Sequence, residues 1–151
     1  MVKVTAPTLT GPNPTPAQLD DLSQFFEDIE TNINNYTGSP EGQNDPNLAK
    51  ITQLALTLGT AATNIATAAL NFQVSSGQDP VIVINGATAK LQTAINTRND
   101  ITQTLGWIQS IVTFATDIST GDLGGIVSSG ADIYNKLTGN PPGTPVPAGK
   151  T

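Results

Sequence analysis

The sequence predicts an all-α protein: an elongated antiparallel bundle of three or four helices with disordered N- and C-terminal tails. Apolar residues recur at steps of three and four along four segments, which is the spacing of the buried face of a helix. Three of these segments open with a capping side chain followed by proline, a pair typical of helix N-termini. The 151 residues are enough for one domain with its own core.

The start signals and the extent of the apolar spacing set the predicted helices. A side-chain oxygen can accept from the free backbone N–H groups of a first turn, and proline at the first helical position sacrifices no hydrogen bond. The pairs that show this signal are Thr15-Pro16, Asp45-Pro46 and Asp79-Pro80. The predicted bundle covers residues 15–138, with helices at about 16–37, 46–73, 80–119 and 122–138.

The start of the third helix has an alternative. Residues 81–86 are mostly β-branched and end in the turn-prone pair Asn85-Gly86. This composition favours an extended segment at 81–85, with the helix beginning only at Ala87.

Both ends of the chain are predicted to be flexible. Residues 1–14 contain three prolines among threonine and asparagine, and residues 139–151 contain four. Neither segment can bury enough apolar surface to offset the entropy lost on ordering.

The most informative feature is a lack of charge. From Ile51 to Gln78 no residue is charged, although the apolar spacing is that of an amphipathic helix. Soluble helices normally present lysine and glutamate to water. This helix presents threonine, asparagine, glutamine and alanine, whose low desolvation cost suits a helix that packs in an assembly or docks on a partner.

Two sets of apolar residues lie off the main seams and form the candidate interaction face. On the second helix these are Leu56 and Leu70. On the third helix a second stripe runs at helical spacing through Trp107, Ile111, Phe114 and Ile118. This stripe has two explanations: the last helix folds back onto it, or it contacts a partner or a membrane.

Arg98 stands where the seam of the third helix expects an apolar residue. A buried arginine requires a carboxylate, so a structural ion pair is the leading interpretation and a ligand-binding arginine is the alternative. The glycines of residues 121–130 lack the phosphate-loop pattern and favour close helix–helix contact instead.

Composition excludes several functions. The chain has no histidine and no cysteine, so it lacks the usual neutral-pH base, thiolate chemistry and the commonest transition-metal ligands. A serine–lysine dyad is formally open, but nothing in the sequence supports one, and we expect no enzymatic activity, cofactor or metal. A net charge of −6 with six scattered basic residues excludes nucleic acid as a partner.

These observations predict a non-enzymatic structural or interaction protein that self-associates or docks on a protein partner. The alternative is a membrane-active, toxin-like protein that uses the amphiphilic segment 101–134. The composition is similar to that of secreted self-assembling helical proteins such as flagellin helical domains, and the amphiphilic segment resembles hairpins of α-helical pore-forming toxins. Because no signal peptide is visible, we expect either leaderless export or a cytoplasmic location.

Overall fold

The computed structural model describes residues 2–68, 72, 79–98 and 101–138, and the side chains of residues 98, 102, 103 and 138 are outside this description. The described residues form six α-helices and no strand, which confirms the all-α prediction. The helices are α1 (Pro16–Thr37), α2 (Pro40–Gln43), α3 (Leu48–Thr67), α4 (Pro80–Arg98), α5 (Ile101–Thr120) and α6 (Leu123–Thr138). The predicted tail at 139–151 and Met1 lie outside the described residues.

Helix α1 begins and ends where the sequence signals lie. The Thr15 hydroxyl accepts from the backbone N–H of Gln18, and the Gln18 side chain accepts from the N–H of Thr15, which completes the capping box. The backbone N–H of Gly38 closes the last turn on the carbonyl of Asn34. The short helix α2 lies between two predicted helices and was not predicted.

Helix α3 is shorter than the predicted helix at 46–73. It begins at Leu48 and ends at Thr67, after which Ala68 has an extended backbone. Phe72 is buried, and its backbone N–H donates to the carbonyl of Pro12 at 2.7 Å. In a continuous helix that N–H would bond four residues back, and here it bonds to the N-terminal segment instead.

The single helix predicted at 80–119 is wrong, because this stretch forms two helices of 19 and 20 residues. Helix α4 begins at Pro80, where the Asp79 carboxylate accepts from the N–H of Val81, so residues 81–85 are helical rather than extended. Helix α6 lies against both α4 and α5. The apolar spacing of the predicted helix is interrupted at Arg98, the last residue of α4, and this interruption was interpreted as a buried arginine rather than as the end of a helix.

Hydrogen bonds between helices define their directions. The Ser23 hydroxyl near the start of α1 donates to the carbonyl of Ala62 near the end of α3, so these helices are antiparallel. Helices α5 and α6 are also antiparallel, since the Ser129 hydroxyl donates to the Asp117 carboxylate next to their connection. Helix α3 packs on α5, and α5 and α4 both pack on α6.

Helix α4 runs in the same direction as α6. Val83, early in α4, lies against Gly130, and the Lys90 ammonium lies 5.7 Å from the ring centre of Tyr134. Because α5 is antiparallel to α6, this direction also makes α4 antiparallel to α5, as the predicted antiparallel bundle requires for consecutive helices.

The core lies between α1, α3 and α5 and continues towards α4 and α6. Phe26 of α1 meets Phe114 of α5 edge to face, with ring centres 6.3 Å apart. Residues 2–14 have no helix or strand and lie along α1 and α4, with Val4 and Leu9 buried. The predicted flexible tail is therefore attached to the bundle through contacts that its proline-rich composition did not indicate.

Candidate functional site

The outer face of α3 is the surface that the sequence analysis singled out, and within the described residues it is exposed. From Ile51 to Thr67 it carries no charged residue, and Lys50 bounds it at the N-terminal end. We call this surface the α3 face, and its exposed members are Thr52, Gln53, Leu56, Thr60, Thr63, Asn64 and Thr67.

Threonine hydroxyls on and beside the α3 face donate to the helix's own backbone. Thr57, Thr60 and Thr63 each donate to the carbonyl four residues earlier, at 3.1, 3.1 and 3.0 Å. Because the single proton of each of these three hydroxyls is already bonded, a partner that covers them leaves none of these hydroxyl donors unsatisfied. The hydrogen bonds therefore strengthen the argument that this face has a low desolvation cost.

Leu56 lies in the middle of the α3 face with 62% of its surface exposed, as predicted. Leu70, its predicted companion, lies outside the described residues. A lone exposed leucine is common on soluble proteins. Its position within an uncharged face, and not its exposure alone, makes this one a candidate contact.

The predicted stripe on α5 is not a surface. Ile111, Phe114 and Ile118 have no exposed area, and Trp107 is partly buried against the core. Helix α6 packs on α5, and Gly130 of α6 allows it to lie close to the Phe114 ring. The assignment of Ile111, Phe114 and Ile118 to an interaction face is therefore corrected: they are buried in the core, and Phe114 lies against α6, as in the other explanation of the stripe.

Arg98 is the last residue of α4, and its side chain is not among the described parts of the chain. The ion pair expected of it stays a prediction. The structure does not bring Arg98, Leu56 and the α5 stripe into one site.

A polar groove of about 510 Å³ lies between α5 and α6. There the Ser110 hydroxyl donates to the Asp132 carboxylate at 2.9 Å, and the Lys136 ammonium lies 2.5 Å from the Ser110 hydroxyl. Lys136 also pairs with Asp132 at 3.2 Å, and both side chains are about half exposed. The Ser110 hydroxyl, the Asp132 carboxylate and the Lys136 side chain therefore form one hydrogen-bonded cluster between α5 and α6.

Two carboxyl groups and one phenol have pKa values that are shifted by their surroundings. The Tyr36 hydroxyl donates to Asp45 beside the α2 turn, and this bond lowers the pKa of Asp45 and raises the pKa of Tyr36. Burial beneath α3, followed by the nearby charge of Glu27, raises the pKa of Glu30. The first pair anchors the α1–α3 connection, and Glu30 packs over Gly59, so these shifts belong to packing and outline no catalytic centre.

Sequence reasoning missed four side-chain amides, those of Asn32, Asn85, Gln92 and Asn96. They hold the N-terminal segment against α1 and α4. The last three recur at intervals of seven and four residues and so share one face of α4. An amide stripe at helical spacing was the signal that could have found them.

Among the described residues, no helix combines the length and the apolar character needed to cross a membrane. No family model, curated protein or solved structure matches the chain.

Proposed function

We propose that the protein is a non-enzymatic interaction protein that self-associates through the α3 face. The observation that supports this proposal is the combination of an exposed leucine, no charge and internally bonded threonine hydroxyls along one helix. Each of these lowers the free-energy cost of removing the face from water.

A second copy of the chain fits this face better than a strongly charged partner does. The protein carries a net charge of −6, so two copies repel each other over most approaches. The residues of the α3 face carry no charge beyond Lys50, and the Glu30 carboxylate of α1 lies beside the face, over Gly59. Leu56 and the threonines can meet their copies without placing carboxylates of α3 opposite each other. A two-fold arrangement would bring the two Leu56 side chains near its axis.

The size of the α3 face sets the expected strength of dimerisation. A helix of 20 residues is about 30 Å long, which provides an interface at the small end of specific complexes. We therefore expect a weak dimer whose population depends on protein concentration.

The test compares two exposed aliphatic residues on different helices. Leu56 is 62% exposed on α3 and Ile82 is 52% exposed on α4, so either can be replaced by lysine with little effect on the fold. We expect Leu56→Lys to weaken dimerisation at least tenfold, because an ammonium then opposes its own copy across the axis. Ile82→Lys should leave the dimer unchanged.

Sedimentation equilibrium over a range of concentrations gives the dissociation constants of the three proteins. Equal constants for the wild type and Leu56→Lys would exclude the α3 face as the contact. Equal losses in both variants would contradict the proposal, because the effect of lysine would then not be specific to the α3 face.

A further inference from the structure

The N-terminal segment, residues 2–9, is bound to the bundle by side-chain amides that pair with its main chain. Asn32 of α1 exchanges hydrogen bonds with the N–H and the carbonyl of Val2, at 2.7 and 2.9 Å. Asn96 of α4 does the same with Val4, at 2.9 and 2.8 Å.

The pattern continues along α4. Asn85 exchanges two hydrogen bonds with Leu9, at 2.9 and 3.0 Å, and the Gln92 side chain accepts from the N–H of Ala6 at 2.6 Å. A side-chain amide offers one acceptor and two donors, so it can bond an extended backbone as a neighbouring strand would. The two helices thus provide a substitute for a sheet edge.

The side chains of the segment follow this extended arrangement. Val4, Pro7 and Leu9 are buried in the groove, whereas Lys3, Thr5 and Thr8 are exposed. Val4, Pro7 and Leu9 enter the bundle while the backbone supplies the hydrogen bonds, which resembles the way that extended peptides are bound when they add to a sheet edge.

We propose that this groove between α1 and α4 binds residues 2–9 of a second copy of the chain. The receiving groups, on Asn32, Asn85, Gln92 and Asn96, all belong to the helices, and the segment joins α1 through exposed residues 10–13. A segment from another copy therefore finds the same hydrogen bonds and the same buried positions. This proposal does not depend on the α3 face.

Within one chain the groove is occupied by its own segment, whose short connection gives it an effective concentration in the millimolar range. Exchange is therefore rare in dilute wild-type protein and requires crowded copies or the loss of the segment's own contacts. Exchange between copies is the arrangement expected when an element is held by contacts that any identical chain can supply.

Two complementary variants remove the competition from the chain's own segment. The first, Val4→Asp with Leu9→Asp, has an intact groove and a segment that no longer fits it. The second, Asn85→Ala with Asn96→Ala, has an intact segment and a groove that has lost four hydrogen bonds to it. Both carry Leu56→Lys, so that dimers formed through the α3 face do not contribute.

We expect each variant to be monomeric alone and their equimolar mixture to give a 1:1 heterodimer by size-exclusion chromatography with light scattering. Circular dichroism establishes that both variants are folded. If the aspartates prevent folding, Val4→Pro with Ala6→Pro replaces them, because proline removes the N–H groups that bond to Asn96 and Gln92 without burying a charge.

A labelled peptide of residues 1–12 measures the groove separately. It should bind the first variant with saturation, and N-methylation at Val4 and Leu9 should weaken binding at least tenfold while leaving every side chain unchanged. Folded variants that give no heterodimer would overturn the proposal, as would a methylated peptide that binds equally well. Neither result would affect self-association through the α3 face.

Discussion

Two uncharged helical faces of this protein differ in whether the rest of the chain covers them. The α3 face and the α5 stripe of Trp107, Ile111, Phe114 and Ile118 both combine apolar residues with threonine and lack charge. Leu56 on the first is 62% exposed, whereas Phe114 on the second is fully buried. Helix α6 packs along the α5 stripe, and no described residue covers Leu56 in this way.

Low charge on a helical face therefore indicates how much free energy its burial costs. It does not indicate whether the chain itself buries that face. Both faces are cheap to remove from water. Which of them is covered depends on where a later helix lies, and α6 is directed to α5 by glycines that allow close approach.

The largest expected effect is the difference in stability between alanine substitutions on the two faces. Phe114→Ala should lower the free energy of unfolding by about 3–5 kcal/mol, because it opens a cavity between α1, α5 and α6. Leu56→Ala should change it by less than about 0.5 kcal/mol, since the side chain is mostly in water. Urea denaturation at low protein concentration measures both. Comparable losses would mean that Leu56 is also covered within the chain.

An effect of intermediate size is expected at two glycines, of which Gly130 is buried and Gly106 is exposed. A methyl group at Gly130 would lie 2.3 Å from Val83 and 3.0 Å from the Phe114 ring, whereas one at Gly106 would meet nothing within 4 Å. We expect Gly130→Ala to destabilise the protein by about 1–3 kcal/mol through overpacking. Gly106→Ala should stabilise it by up to about 1 kcal/mol through helix propensity. Thermal unfolding of both variants tests this, and a stabilised Gly130→Ala would mean that α6 does not lie close to α4 and α5.

The smallest expected effect on stability comes from Glu30, which packs against α3. Glu30 lies over Gly59 and its pKa is raised by burial, so the folded state disfavours the carboxylate. A raised pKa means that this group supports folding most below its unfolded value of 4.5 and that the support is lost as pH rises through the folded value. Glu30→Gln should therefore stabilise the protein at pH 7, by less than about 1 kcal/mol because the group is partly solvated, and should have little effect near pH 4. Urea titrations at the two pH values decide this, and a pH-independent difference would mean that the carboxylate is not buried against α3.

Local sequence was enough to predict the helical class and the starts of α1 and α4. The hydrogen bonds of Thr15 with Gln18 and of Asp79 with Val81 join residues no more than three positions apart, so they could be predicted without knowing the fold. Periodicity likewise identified the seams of α1 and α3, because a buried face must repeat at the helical spacing wherever its partner lies.

Tertiary contacts determine which faces are covered, and local sequence did not reveal them. The burial of Ile111 depends on residues distant in sequence, and the backbone N–H of Phe72 bonds to Pro12 rather than to the residue four positions back. The attachment of residues 2–9 shows the same limit, since Val2 meets Asn32 and Val4 meets Asn96. Local sequence encodes a residue's own conformational preferences, but a backbone N–H or an apolar side chain is satisfied by whatever the rest of the chain places beside it.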